Sequence, residues 1–240
     1  MKTLQLIKNR ECTLILLLGF IFVITACGEK SDDTLFESLV AEETGVDFQN
    51  ELQLTANKNI YNYRNFYDGG GVAIGDVSGA GLPDLYFTMN QGPNRLYINK
   101  GNFQFEDVTE QAGVAGNREW TSGSSMADVN GDGLLDIYVT NSGEVENTEN
   151  ELFINNGDGT FTEKAEEFGI NDDGYAIHSA FFDYNGDGRL DLYVINNADE
   201  PIGNFDLENN QRDERHYMGG DRLFRNDGDV FTDVTDEAGL

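Results

Sequence analysis

Two short stretches carry oxygen-bearing side chains at a spacing suited to wrapping one hard cation. In the first, Asp128, Asn130, Asp132 and Asp136 occupy loop positions 1, 3, 5 and 9, with Gly133 at position 6. In the second, Asp183, Asn185, Asp187 and Asp191 take the same places, with Gly188 at the turn. Alternation over positions 1, 3 and 5 lets side-chain oxygens converge on one point while the chain bends around it, and the glycine permits the bend. With the main-chain carbonyl at position 7, from Leu134 or Arg189, each loop offers the six or more oxygens that Ca2+ prefers. Three aspartates around one point repel one another by about 1 kcal/mol per pair at ~4 Å even in bulk water, a conflict that a bound cation removes.

An EF-hand opens with the same residues but needs a bidentate Glu at position 12, where this sequence has Val139 and Val194. The flanks also read as strands, with β-branched and aromatic residues such as Ile137, Tyr138 and Val139. A third loop is weaker: Asp76, Leu82 and Asp84 keep positions 1, 7 and 9, but Ser78 replaces Asn and Ala80 removes the position-5 carboxylate. It is expected to hold calcium less tightly. Asp158 and Asp229 lie in hairpins without ligand spacing and read as turn residues.

The elements that must position these loops form a repeat. Asp76, Asp128 and Asp183 are 52 and 55 residues apart, and each opens a segment ending in Asp-Leu-Tyr or Asp-Ile-Tyr (84–86, 136–138, 191–193). A strand-like segment follows in each copy, at 94–99, 150–155 and 221–226, then a turn rich in Gly, Asn and Asp. Beyond it, Phe105, Phe161 and Phe231 each precede a glycine by eight residues: Gly113, Gly169 and Gly239. The strand before each Asp loop, at 72–75, 124–127 or 179–182, has one large apolar residue among mostly small ones, as suits strands crowded around an axis. Four short strands per unit predict an all-β fold, a β-propeller of four-stranded blades, with about three blades at 67–116, 117–172 and 173–240. Three blades do not close a ring, so the sequence is expected either to continue or to assemble with other chains. Within the segment 35–66, Phe36-Glu37 followed by Gly45-Val46 echoes the last strand of a unit and is expected to act as a ring-closing strand.

The Asp loops, taken with the repeat, resemble the FG-GAP or VCBS repeat of integrin α-subunit propellers over residues 67–240. That resemblance implies calcium between the first two strands of a blade. The run from Tyr63 to Ala80 and the Val-Thr-Glu-Gln-Ala-Gly turn from Val108 are similar to large bacterial proteins that end in an ASPIC/UnbV domain, a domain not expected within these 240 residues.

Charge excludes one class of partner. Lys and Arg total 15 against 44 Asp and Glu, a net charge of -29, so nucleic acid is repelled. The first 26 residues differ: a basic start and an apolar run from Leu14 to Ile24 make a signal-peptide core too short for a span. Ile24-Thr25-Ala26-Cys27 resembles a lipobox, which predicts cleavage before Cys27, lipidation of its thiol, and an acidic tether at 27–34. The localisation expected is the bacterial outer membrane, lipid-anchored and surface-exposed. With Cys12 inside the leader, no disulfide framework remains.

The third unit separates Asp191 from Asp221 by 30 residues where the first separates Asp84 from Asn94 by 10. The excess includes Arg212, Arg215, His216 and Tyr217, an aromatic and basic mixture that suits a ligand-binding excursion. His178 reads as a structural residue near the start of an inner strand, and Trp120 as packing. With no nucleophile motif and no helical zinc pair, the function expected is a calcium-stabilised binding or adhesion module for a glycan or protein ligand. The alternatives are a polysaccharide-processing propeller enzyme, lyase or hydrolase, and a structural component of a larger outer-membrane assembly.

Overall fold

A computed structural model of the chain describes residues 35–143, 147–197, 216 and 218–240. The chain divides into two compact units, Met1–Leu39 and Val40–Leu240. Of the first, residues 35–39 are described, and they form neither helix nor strand. The expected strand at Phe36-Glu37 is therefore not formed. Among the described residues no helix is long and apolar enough to cross a membrane.

The second unit contains three four-stranded antiparallel sheets, each in simple sequence order. The first holds β1 (Val72–Gly75), β2 (Asp84–Phe87), β3 (Arg95–Asn99) and β4 (Phe105–Asp107). The second holds β5 (Thr121–Ala127), β6 (Asp136–Asn141), β7 (Glu151–Asn155) and β8 (Phe161–Glu163). The third holds β9 (Ala176–Phe182), β10 (Asp191–Asn196), β11 (Arg222–Asn226) and β12 (Phe231–Asp233). These are propeller blades, and their ring is not closed.

Strands β5 and β9 start three residues earlier than the small-residue segments expected at 124–127 and 179–182. A bulge explains the difference: the register shifts at Thr121/Gly123 and at Ile195/Asn196, so one extra residue joins each strand before pairing resumes. The third strands start one residue later than expected because Asn94, Asn150 and Asp221 leave the ladder. Their side-chain oxygens accept from the N–H groups of Met89 (3.0 Å), Asn141 (2.8 Å) and Asn196 (3.0 Å), closing the end of the neighbouring strand. Meanwhile the Asn94 and Asn150 N–H groups donate to the inter-blade linkers, at Ala115 O and Asp172 O.

After each outer strand the chain makes a single helical turn: α2 (Thr109–Ala112), α3 (Ala165–Phe168) and α4 (Thr235–Ala238). The same turn precedes the first blade as α1 (Ala41–Thr44). All four end in a glycine with φ between 72 and 76°, a conformation that costs other residues energy.

Blades are held together by apolar faces that no single sheet could bury. Tyr86, Leu96, Ala112 and Val114 of the first blade pack on Ile137, Val139 and Phe153 of the second. In turn Tyr138, Leu152, Phe168 and Ile170 pack on Leu192, Val194, Phe224 and Phe231 of the third. Within each blade a tyrosine ties the second strand to the segment that leaves the blade: the buried Tyr86 hydroxyl donates to Val114 O and that of Tyr138 to Ile170 O, each at 2.7 Å. Burial pushes both phenols well above their ordinary range, so they remain neutral donors. Trp120 is buried edge-on against Tyr63 at 5.2 Å and acts as packing.

Candidate metal-loop site

Each Asp loop joins the first two strands of its blade. Its last aspartate, the first residue of the second strand, is fully buried in every copy: Asp84, Asp136 and Asp191. Asp136 Oδ2 accepts from Val129 N at 3.0 Å and Oδ1 from Asn155 N at 2.8 Å. Asp191 does the same with Tyr184 N (3.0 Å) and Asn226 N (2.8 Å). Asp84 accepts from Val77 N and Ser78 N at 3.0 Å and from Asn99 N at 2.8 Å. This aspartate thus ties the loop's entry to the end of the third strand, a role additional to the ligand role expected of it.

The position-1 aspartates fold the loops. Asp128 Oδ1 accepts from Gly131 N (2.8 Å) and Asp132 N (3.1 Å), and Oδ2 from Gly133 N (2.9 Å). Asp183 repeats this with Gly186, Asp187 and Gly188 at 2.7, 3.1 and 2.9 Å, and these N–H groups hold its carboxyl below the usual range. Asn130 Nδ2 donates to Asp132 Oδ2 at 2.9 Å, and Asn185 Nδ2 to Asp187 Oδ2 at 3.0 Å. The Leu134 and Arg189 N–H groups donate to the position-5 aspartates at 2.8 and 2.9 Å. Arg189 also sets Nη2 2.6 Å from Asp187 Oδ2 while Nε donates to Asn226 O, a partial charge match that the second loop does not have.

In the first loop Asp76 accepts from Ala80 N (3.0 Å), Gly81 N (2.7 Å) and the Ser78 hydroxyl (3.3 Å), which fixes the turn with fewer oxygens than its relatives. The position-7 residue Leu82 is exposed there.

Among the described residues no group of three or more His, Cys, Asp or Glu side chains converges as a preformed metal cage. The loops are closed by their own backbone N–H groups. Their donor chemistry nevertheless fits calcium. Burial pushes the Asp136 carboxyl up to about 6 despite two backbone donors, and the charges of Asp132 and Asp128 push in the same direction. Carboxylates close enough to disturb one another, each with lone pairs beyond those engaged, are what a hard divalent cation neutralises. Asp128, Asn130, Asp132, Asp136 and Leu134 O would hold it in the second loop, and Asp183, Asn185, Asp187, Asp191 and Arg189 O in the third. Bound there, it would supply a fixed positive charge that orders the loop.

Sequence reasoning missed the residue that organises this edge of every blade. Asn99, Asn155 and Asn226 end the third strands. Each donates its N–H to the buried aspartate and accepts from a glycine N–H two residues on, at 2.8–3.0 Å. Asn155 Nδ2 reaches Val77 O at 2.8 Å, and Asn226 Nδ2 reaches Val129 O at 3.0 Å, stitching each blade to the one before. The signal was available as Asn-x-Gly at the same place in all three units.

Of the expected ligand excursion, Arg212, Arg215 and Tyr217 lie outside the described residues, as does Cys27. His216 caps a turn: its Nδ1 accepts from Gly219 N at 3.0 Å. His178 sits exposed on β9, paired with Ile195. Asp158 accepts from Thr160 N and its hydroxyl, at 3.0 and 2.6 Å, as a turn residue should.

Three similar blades with an aspartate loop between their first two strands define a class of propeller repeat. The family model described as FG-GAP-like repeat matches residues 76–139 and 128–194, so the chain carries two such repeats. Among characterised relatives it is similar to cartilage acidic protein 1 of Xenopus tropicalis, 36% identical over 78 residues, which is 32% of this chain and 12% of that protein. The proteins of the same name from Mus musculus and Homo sapiens are each 36% identical over 73 and 76 residues, covering 30% and 31% of this chain and 11% and 12% of theirs. The match therefore spans about an eighth of the relatives' length.

Proposed function

We propose that this chain is a calcium-stabilised propeller module that acts by binding a glycan or protein ligand at a bacterial outer-membrane surface, tethered through lipid on Cys27. The observation that carries the calcium reading is the recurrence of one oxygen-donor pattern, Asp-x-Asn-x-Asp-Gly-x-x-Asp, at the same edge of two stacked blades. Loops held at one edge of a rigid scaffold support recognition rather than chemistry. The stretch between β10 and β11, with Arg212, Arg215 and Tyr217, is the proposed contact element, and it offers cationic and aromatic groups in an otherwise acidic chain.

With an extracellular-type dissociation constant of about 0.1 mM, calcium near ~1 mM stabilises each loop by roughly 1.4 kcal/mol. Two loops then raise the melting temperature by roughly 6–11 °C for a domain of this size. Differential scanning calorimetry in calcium and in excess chelator measures the difference. Identical melts in the two buffers would rule out metal-ordered loops, and retention of ligand without turnover on a glycan array would favour binding over processing.

A further inference from the structure

The first residue of the third strand is equivalent in all three blades: Arg95 stands opposite Phe87, Glu151 opposite Val139, and Arg222 opposite Val194. Across the next strand pair, the residues equivalent to one another are Asp107, Glu163 and Asp233, each opposite the aromatic residue two places further along. In the first blade the Arg95 guanidinium lies 3.6 Å from Asp107, and in the third Arg222 lies 3.5 Å from Asp233. Arg222 also sits 2.6 Å from the buried Asp172 on the linker that enters its blade. The second blade has a carboxylate in both places.

Glu151 is 1% exposed, and its Oε2 is buried with no hydrogen-bond partner. Its Oε1 accepts from Asn117 N at 3.1 Å, on the linker between the first two blades. Arg118, whose charge acts on Glu151, is committed to Glu149: Nε donates to its carbonyl at 3.0 Å and Nη2 lies 3.2 Å from its carboxylate. A cavity of about 270 Å³ opens at this junction, lined by Glu151, Glu163 and Glu110, by Phe153, and by the backbone of Gly113 and Gly116. Gly116 leaves room beside the carboxylate, since a Cβ there would stand 2.8 Å from Asn94 Nδ2 and 3.1 Å from Glu151 Oε2. Burial, with the Glu163 charge adding to it, raises the Glu151 carboxyl against the opposing pull of Arg118, the Asn117 N–H and the Asn141 side chain.

We propose that this junction is a binding site for a guanidinium or alkylammonium group, presented by an Arg or Lys side chain of a protein partner, with Glu151 as its floor and Glu163 and Glu110 at its mouth. The chain supplies that group itself in the blades on either side. Here it supplies the acidic half alone, beside a cavity sized for one long side chain and walled by Phe153. A planar guanidinium could meet the free Oε2 and a rim carboxylate together. The site lies at the other end of β7 from Asn155 and does not depend on the Asp loops.

The test titrates the full chain with N-acetyl-arginine amide, in saturating calcium, against its neutral isostere N-acetyl-citrulline amide. Saturable heat from the arginine compound alone is expected, with about tenfold or greater loss of affinity in Glu151→Gln, as removal of a charge-assisted bond implies. An arginine-bearing peptide should bind at least as well as the free amide. A double variant, Glu151→Arg with Ala115→Asp, rebuilds the Arg222–Asp172 arrangement, since Ala115 O accepts from Asn94 N as Asp172 O does from Asn150 N; it should melt higher than the parent and no longer respond to the probe, which decides the matter if the single variant does not fold. Equal binding by Glu151→Gln or equal binding of citrulline would overturn the assignment.

Discussion

At the scale of single residues, the Asp loops combine two roles that mutagenesis can separate. Asp136 is fully buried and satisfies two backbone N–H groups, Val129 and Asn155. Removing it orphans both, and a buried unsatisfied donor costs about 1–3 kcal/mol. Asp128 caps Gly131, Asp132 and Gly133, which are exposed, so water can replace it. Asp136→Ala should therefore lose roughly 2–6 kcal/mol of unfolding free energy in chelator as well as in calcium. Asp128→Ala should lose about 1 kcal/mol in chelator, yet forfeit the calcium response of its loop. Urea unfolding of both variants in the two buffers gives the four values, and equal losses in chelator would show that the buried aspartate is not the strut its hydrogen bonds describe.

At the scale of elements, the one-turn helix and its glycine form a clip between successive blades. Cβ atoms built on Gly113 and Gly169 fall 3.7 and 3.2 Å from the carbonyls of Phe161 and Phe231, the first residues of β8 and β12. On Gly45 the atom falls 2.5 Å from the carbonyl of Phe105, the first residue of β4, so α1 occupies on the first blade the place that α2 and α3 occupy on the next two. Phe48, stacked on Phe87 at 4.9 Å, and Asp47, accepting from Tyr97 Oη at 3.0 Å, continue that cover. Gly239 ends α4 with the same φ but nothing within 4 Å. Both glycines carry the left-handed penalty of about 1–2 kcal/mol on replacement, but Gly45→Ala must also displace backbone. Its melting temperature should fall further than that of Gly239→Ala, and the reverse order would mean that α1 does not clip the first blade. Much of this was legible beforehand. The three Asp loops, the four strands of each unit and the glycine eight residues after each Phe follow from local chemistry repeated at a fixed spacing. The cross-links by Asn155 and Asn226 and the buried carboxylate of Glu151 were not legible, because each depends on which residue of a neighbouring blade stands opposite. Periodicity within one unit carries no such information.

At the scale of the molecule, stability follows from stacking. A blade alone cannot bury two apolar faces, so each interface contributes to both of its neighbours. The second blade has a described partner on each side, and every residue of β6 and β7 is buried. In β2 burial alternates, and in β10 Tyr193 and Ile195 are left partly exposed. The amides of β6 and β7 should therefore exchange only through global opening, whereas those of the third blade exchange through a sub-global opening of lower free energy. Native-state hydrogen exchange, read by mass spectrometry on peptides from each blade, measures the gradient directly. Protection should peak at 136–155 and fall by at least about tenfold in 222–226, the ratio that corresponds to roughly 1.4 kcal/mol. Uniform protection across the blades would mean that the three sheets open as one body, and the nearest-neighbour account of their stability would fail.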